Sequence, residues 1–217
     1  MQGPSPDQRA HWDATYAEEP ELYGWEPSET ARRAAARFHA AGVRRVLELG
    51  TGHGRDALFL AREGFQVTAV DASAVGLRVL SERARKEGLE GRCAVVQADL
   101  REPLPWPAAS FDACVSHMLL NMAFTRAELL ALSGEIGRVL RPGGLHVYSA
   151  RSVHDPLFRQ GRHHGENLYE MEGFIVHFLD HDLVRGLAAD RVLLQVEEFE
   201  EGPLPRRLFL VSERIPG

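Results

Sequence analysis

Apolar and polar positions along this chain follow two alternating periods. Short apolar runs of strand length recur at Arg44–Gly50, Gln66–Asp71, Cys93–Asp99, Phe111–His117 and Leu145–Ala150, each bounded by glycine, polar or charged residues. Between them lie helix-spaced stretches: Gly54–Glu63, Ser73–Gly88, and the run after Thr125 in which Leu129, Leu132, Ile136, Val139 and Leu140 share one face. Ser73 reads as a helix cap, and Thr125 with Glu128 as a capping box. Gly64, Gly88 and Pro142-Gly143-Gly144 read as stops. Strands alternating with helices predict a parallel sheet covered by helices on both faces. Glu102–Ser110, broken by Pro103, Pro105 and Pro107, reads as a connecting loop.

The two ends depart from this alternation. Ser5-Pro6-Asp7-Gln8 looks like a helix start, and Trp12 and Tyr16, four apart, fall on one face of the helix that follows. Those rings either pack the helix onto the body or form a flap over a ligand. Leu22–Pro27 reads as a loop, and Ser28–Ala41 as a second helix stopped at Gly42. After the fifth strand comes a long polar insert, Arg151–Leu179, with His154, His163, His164 and His177. A short helix at His181–Ala189 follows, then strands at Arg191–Glu200 and Arg206–Glu213 joined by Gly202-Pro203-Leu204-Pro205. That spacing predicts a hairpin of antiparallel partners. The expected organisation is one domain: a helical cap over 1–42, a core over 43–150, an insert or lid over 151–180, and a helix with a terminal hairpin over 181–217.

Composition narrows the partners. A chain of 217 residues suits one α/β domain, burying ~70% of its unfolded surface. A net charge of −6 and a pI near 5.9 argue against a broad nucleic-acid face. No apolar stretch approaches the ~18 residues of a membrane span, and the N-terminus lacks a signal-peptide core. The expectation is a cytoplasmic protein, monomer or homodimer, with no membrane partner. Cys93 and Cys114 fall in strands and read as buried free thiols.

The candidate chemistry gathers at strand ends. Glu48 is the acid inside the first apolar run, and Gly50, Gly52 and Gly54 follow it at alternate positions. Glycines there let a ligand approach backbone, and the helix start beyond offers unpaired N–H groups. In an open parallel sheet, ligands bind beyond the carboxyl ends of the strands. Asp71 and Asp99 stand at two such ends. The first can hold ribose hydroxyls, and the second can accept from an exocyclic amine. Lone strand-end aspartates commonly cap the next turn. Only the ordered set, glycines then Asp71 then Asp99, points to a nucleoside. A nicotinamide dinucleotide fits less well, because its G-x-G-x-x-G turn needs a glycine where this chain has Arg55.

The motif Glu48-Leu-Gly50-Thr-Gly52-His-Gly54 resembles the E-x-G-x-G-x-G motif of class I S-adenosylmethionine-dependent methyltransferases. VTAVDAS around Asp71, QADL with Asp99 and Leu100, Phe111-Asp112, and Leu140-Arg-Pro-Gly-Gly144 are similar to that family's further motifs. The resemblance covers about Arg44 to Ala150, and over the whole chain it is nearest to compact bacterial small-molecule enzymes of the tellurite-resistance and thiopurine sort. It implies a Rossmann-like, seven-stranded, mostly parallel sheet with an antiparallel last strand. It implies S-adenosyl-L-methionine as cofactor, with Gly50 and Gly52 passing its amino acid part and Glu48 supporting that loop. Asp71 would hold the ribose, Ala72 and Leu100 would bracket the adenine, Asp99 would contact its amine, and Ser116 or His117 would line the methionine end. The alternative on the same fold is a non-catalytic binding protein.

The acceptor is sought among unmatched positions: Trp12, Tyr16, Tyr23, Trp25, Asn121, Arg151 and Tyr169. Arg151, at the tip of the fifth strand, suits an anionic group on a small-molecule acceptor or a structural ion pair. Methyl transfer from a sulfonium needs chiefly alignment, and no catalytic triad is visible. Histidines 117, 154, 163, 164 and 177 are the candidate bases. None has zinc-ligand spacing, so no metal is expected and the insert reads as a mobile, solvated loop. His53, between glycines, reads as exposed and incidental.

Overall fold

The computed structural model describes residues 8–19, 23–202 and 206–217. In chain order it holds α1 (Arg9–Glu18), α2 (Glu29–Ala40), β1 (Arg45–Leu49), α3 (Arg55–Arg62), β2 (Gln66–Asp71), α4 (Ala74–Lys86), β3 (Cys93–Gln97) and β4 (Phe111–His117). There follow α5 (Arg126–Val139), β5 (Leu140–Arg151), β6 (Arg162–His163), β7 (Leu168–Met171), β8 (Phe174–His177), α6 (His181–Leu187), β9 (Val192–Glu201) and β10 (Arg206–Arg214). The helix start expected at Ser5 and the link through Pro203-Leu204-Pro205 lie outside the described residues.

Seven strands form one sheet in the order β3-β2-β1-β4-β5-β10-β9. β1 to β5 run parallel, and β10 runs antiparallel between β5 and β9. This is the Rossmann-like sheet with an antiparallel last strand that the motifs imply. Strand order reverses between β1 and β4, so the crevice opens beyond their carboxyl ends.

Strand alternation explains the layers. Val46 packs with Ala34, Phe38, Leu58 and Leu60, while Leu47 and Leu49 join Leu129, Leu132 and Ile136. Successive side chains point to opposite faces, so α2, α3 and α4 cover one face and α5 and α6 the other. Helix starts match their sequence signals. The Ser28 and Ser73 hydroxyls accept from the N–H of Ala31 and Gly76, and Thr125 and Glu128 close a reciprocal capping box. Each cap contributes about 1 kcal/mol.

Three segments differ from expectation. β5 starts at Leu140, which pairs with Phe111 before the ladder shifts and Ala113 meets Leu145. Pro142-Gly143-Gly144 therefore bends the strand instead of preceding it. The insert is not a solvated loop: β6, β7 and β8 form a three-stranded antiparallel sheet. Its apolar residues Leu168 and Ile175 pack on Ala123, and His177 is only 2% exposed. Strand-length apolar pairs hidden among polar neighbours account for the difference. Finally, β3 ends at Gln97, leaving Asp99 in the turn beyond. Both cysteines are buried and free. Burial pushes the Cys93 thiol up to about 12 and Cys114 further still, so neither supplies thiolate near neutral pH.

Candidate functional site

The loop after β1 is held by its own backbone and two acids. Gly50 and Thr51 N–H groups donate to the Val70 carbonyl at 2.8 and 3.0 Å, continuing the β1–β2 ladder into the turn. Gly52 N–H donates to Asp71 Oδ2 at 2.8 Å, and Ser73 N–H to Asp71 Oδ1 at 2.8 Å. One carboxylate thus fastens the loop to the end of β2. Gly52 has φ +56°, and a Cβ there would overlap the Tyr16 hydroxyl, so the position excludes side chains on two grounds. Glu48 accepts from Thr51 Oγ1 at 2.9 Å. Burial raises the Glu48 carboxyl well above the usual range, and Asp56 adds to the rise. Burial also raises Asp71, against the opposing N–H groups of Ser73, Gly52 and Ala72.

This loop forms one wall of a cleft of about 1240 Å³, counting its open mouth. One end is lined by Asp71, Ala72, Asp99, Leu100 and Arg101, the other by Tyr23, Arg55, His117, Met118 and Arg206. Asp99 is exposed, and its Oδ1 accepts from Arg101 N–H at 3.0 Å.

His117 ends β4 at this second end, with its side chain 13% exposed. Its Nδ1 lies 2.8 Å from Ser149 Oγ, 3.1 Å from Thr30 Oγ1 and 3.9 Å from Glu201 Oε2. The other Glu201 oxygen accepts from Glu29 N–H at 3.0 Å. Burial lowers the His117 pKa although Asp56 and Glu201 oppose it, so the ring is neutral near pH 7. The next residue, Met118, sits at φ +57°. A non-glycine residue held there marks backbone constrained by its surroundings.

α1 covers the glycine loop. Asp13 accepts from Ser73 Oγ at 2.6 Å and Val75 N–H at 3.3 Å, tying α1 to the start of α4. The Gln8 side chain donates to Gly173 O at 2.7 Å and accepts from Ile175 N–H at 2.9 Å, joining α1 to the β7–β8 hairpin. Trp12 stacks on Tyr16 with centroids 5.7 Å apart and meets Phe174 at 5.1 Å.

Residues 46–144 match a family model described as a methyltransferase domain. The match runs from β1 to the bend in β5 and takes in the glycine loop, Asp71 and Asp99. A fatty-acid O-methyltransferase from Mycolicibacterium smegmatis is 36% identical over 115 residues, covering 52% of this chain and 39% of that protein. The chain thus spans well under two thirds of that relative. Among solved structures, the 1,6-didemethyltoxoflavin-N1-methyltransferase of Burkholderia thailandensis, with 1,6-didemethyltoxoflavin and S-adenosylhomocysteine bound, superposes with a TM-score of 0.73. It is 21% identical, over 96% of this chain and 87% of its own. The [4+2]-cyclase SpnF superposes with a TM-score of 0.74 at 18% identity, over 100% of this chain and 99% of its own. At these identities the superpositions speak for the fold.

Around the cleft, the expected positions divide. Glu48, Gly50, Gly52, Asp71, Ala72, Asp99, Leu100 and His117 share the cleft wall, with Trp12, Tyr16 and Tyr23. The others stand off it. Gly54, at φ +90°, caps α3 where a Cβ would strike Leu80. Ser116 is fully buried within β4. Trp25 packs on His53 with centroids 4.9 Å apart and under the Arg83 guanidinium at 4.5 Å. Asn121 accepts from Arg151 N–H at 3.2 Å behind the wall. Tyr169 stacks on His163 at 4.8 Å in the small sheet. Arg151 lies behind Arg206, 3.7 Å from Asp155. His53 is corrected: it is 2% exposed and its Nε2 lies 2.8 Å from Gly24 O, wedged among aromatic rings. Thr51, Arg55, Asp56, Glu201 and Arg206 carried no sequence expectation as site residues. Glu201 and Arg206 end strands far along the chain, and only the hairpin register brings them here.

Proposed function

We propose that this protein transfers the methyl group of S-adenosyl-L-methionine to a small organic acceptor. The observation that carries the reading is the Gly52–Asp71 bond: the glycine turn and the strand-end carboxylate are one unit, facing a cleft bounded by Ala72, Leu100 and Asp99. These residues fit the cofactor's parts. Asp71 would take the ribose hydroxyls, Ala72 and Leu100 the adenine faces, Asp99 its amine, and the loop from Gly50 to Gly52 the amino acid tail. The cofactor supplies a methyl group on a sulfonium that is already a good leaving group, so alignment in a dry site can lower the barrier by ~7–11 kcal/mol.

The chain's own chemistry sits at His117. Its Nδ1 edge faces Ser149, Thr30 and Glu201, and an Nδ1–H on that side leaves Nε2 to accept a proton from the acceptor. Glu201 acts as a positioning residue. α1 and the small sheet of β6–β8 form a lid, joined through Gln8 and Phe174, that keeps water from the donor end. Among the described residues no helix is long and apolar enough to cross a membrane. The acidic net charge favours a small acceptor over nucleic acid.

Calorimetry tests the cofactor: S-adenosylhomocysteine should bind and NAD should not, and the reverse would end the proposal. A screen of organic acids, amines and phenols with methyl-labelled S-adenosylmethionine tests transfer. The fold alone does not fix the activity, which leaves one second reading, a protein that binds the cofactor and catalyses no transfer. Cofactor binding with no labelled product across the screen would select it.

A further inference from the structure

The end of the cleft opposite the proposed adenine seat gathers three guanidinium groups, of which Arg55 and Arg151 have only long ion pairs and Arg206 has none among the described residues. Alternation along β5 and β10 puts Leu145, Val147 and Leu210 against α2 and α3, and the same period brings Ser149, Arg151 and Arg206 to that face. Register pairs Leu208 with Arg151 and Arg206 with Glu201. Arg206 and Arg151 are therefore neighbours on the strand ends beside His117.

Their partners are incomplete. Arg206 lines the cleft, makes no ion pair among the described residues, and its Nε is buried without an acceptor. The Arg151 side chain is 8% exposed, and its Nε also lacks an acceptor. The carboxylate of Asp155, 3.7 Å away, is already committed to the N–H groups of Leu157 at 2.9 Å and Arg207 at 3.0 Å. A third guanidinium, Arg55, lies 5.9 Å from the Tyr23 ring centroid, donates to the Tyr23 carbonyl at 3.1 Å and stands 3.9 Å from Asp56 Oδ1. The nearby acids are partly committed: Asp56 accepts from the N–H and hydroxyl of Ser28, and Glu201 Oε1 accepts from Glu29 N–H, while Glu201 Oε2 makes no hydrogen bond and stands 3.9 Å from His117. Burial keeps the Tyr23 phenol protonated, since it raises the pKa against the pull of Arg206, Arg55 and Arg151. Tyr23 remains a hydrogen-bond donor.

Buried guanidinium N–H groups without acceptors are costly, and a planar carboxylate satisfies two at once. We propose that this end of the cleft seats a carboxylate carried by the organic acceptor, with Arg206 in direct contact, Tyr23 beside it and Arg151 behind. The inference rests on the methyltransferase reading and narrows it to acidic acceptors. Met118 and Leu119, on the adjoining wall, offer apolar surface to the acceptor's body. Because Arg206 and Glu201 are register partners, an acceptor anchored on the first presents its remaining groups to the histidine that the second backs.

Acetate is the probe, titrated by calorimetry into the protein saturated with S-adenosylhomocysteine, with methylammonium as the cationic control. Acetate should bind, and methylammonium should not. Arg206→Gln should weaken acetate roughly tenfold or more, the range of one lost charge-assisted pair, and Arg206→Lys should restore part of it. Arg151→Gln should weaken it by a smaller factor. Arg207→Gln, whose native guanidinium pairs with Glu198 and Glu200 on the surface, should leave it unchanged. Unaltered affinity for S-adenosylhomocysteine in every variant shows that the fold is intact. In the labelled screen, acids should be methylated in preference to their amides, and Arg206→Gln should abolish that preference. Acetate binding that ignores Arg206, no acetate binding to a protein that does bind S-adenosylhomocysteine, or amides used as well as acids would each overturn the carboxylate seat. Arg206-dependent acetate binding by a protein that fails to bind S-adenosylhomocysteine would uphold the seat and overturn the cofactor reading instead.

Discussion

The two ends of the cleft, donor and acceptor on the proposed assignment, are made in different ways. The donor end is short-range: Glu48 through Leu100 supply it, and its main fastenings are backbone N–H groups on the carboxylate of Asp71. The acceptor end is long-range. Tyr23 precedes α2, His117 ends β4, Arg151 ends β5, and Glu201 and Arg206 face each other across the terminal hairpin. Carboxylates predominate at the first end and guanidinium groups at the second. A backbone cradle tolerates little variation, since glycine geometry and ladder bonds define it. An end built from single side chains on separate strands can be re-specified one residue at a time without disturbing the donor. On the proposed assignment, the difference makes cofactor and acceptor recognition separable parts of one sheet edge.

The largest effect should come from the residue where the two ends meet. His117→Gln is expected to lower kcat by about 10²–10⁴-fold, the usual contribution of a positioned base, while changing affinity for S-adenosylhomocysteine little. The pH profile distinguishes a base from a packing residue. Burial holds the His117 pKa below its ordinary value, so the wild-type rate should stay level down to about pH 6.5 and fall only below it. His117→Gln should flatten that limb, and Glu201→Gln should move it to lower pH by removing a charge that favours the imidazolium. A residual rate with an unchanged limb would assign proton removal elsewhere.

Next in size is the donor end. Asp71→Ala removes the acceptor of two N–H bonds, from Gly52 and Ser73, along with the proposed ribose contact. Charge-assisted bonds are worth about 1.5–3 kcal/mol each, so affinity for S-adenosylhomocysteine should fall about 10–100-fold. Acetate binding at the Arg206 end should change far less. Equal losses at both ends would mean that the two are one cooperative unit, and the comparison above would fail.

How much of this was legible before the structure follows the same division. The sheet, its antiparallel last strand, the helix caps at Ser73 and Thr125, and the gathering of Glu48, Gly50, Gly52, Asp71, Ala72, Asp99 and Leu100 along one cleft wall could be read because each signal is local. His53 was misread because a histidine between glycines looks solvent-facing, whereas Tyr16, Tyr23 and Trp25 arrive from the N-terminal segment to bury it. Arg206 and Glu201 could not be read as site residues, because their place depends on a hairpin register and on which sheet face carries α2. The small sheet of β6–β8 was hidden by strands of four residues or fewer set among charged neighbours.

A smaller effect concerns stability rather than binding. Burial lowers the pKa of both His117 and His177, the latter despite its 2.7 Å contact with Phe124 O. As pH falls through about 6.5, the unfolded chain takes up protons that the folded one refuses. Stability should therefore drop on acidification, by at most about 1.4 kcal/mol per pH unit for each such histidine, and level off once the folded-state pKa is passed. Urea midpoints between pH 7.5 and 5.5 measure the slope. His177→Gln should reduce the slope even if it lowers the midpoint at every pH, and an undiminished slope would assign it to other groups.

The smallest expected effect on the cleft belongs to Trp25, and it tests where the acceptor end stops. Trp25 carries the aromatic surface expected of a substrate contact, yet its ring meets His53 edge-on and lies under Arg83 at 4.5 Å. Tyr23, two residues earlier, is the ring that reaches the arginines. Trp25→Ala should therefore cost about 1–2 kcal/mol of stability through lost ring and cation–π packing, read as a lower urea midpoint. KM for an identified acceptor and affinity for acetate should stay within about twofold, since less than ~0.4 kcal/mol of binding passes through a residue that does not touch the ligand. Tyr23→Phe should do the opposite, sparing stability and weakening acetate by the loss of one hydrogen bond, severalfold in affinity. If Trp25→Ala raised KM as much as Tyr23→Phe, the acceptor would extend across the His53 cluster, and the boundary between packing and recognition would lie one ring further from His117.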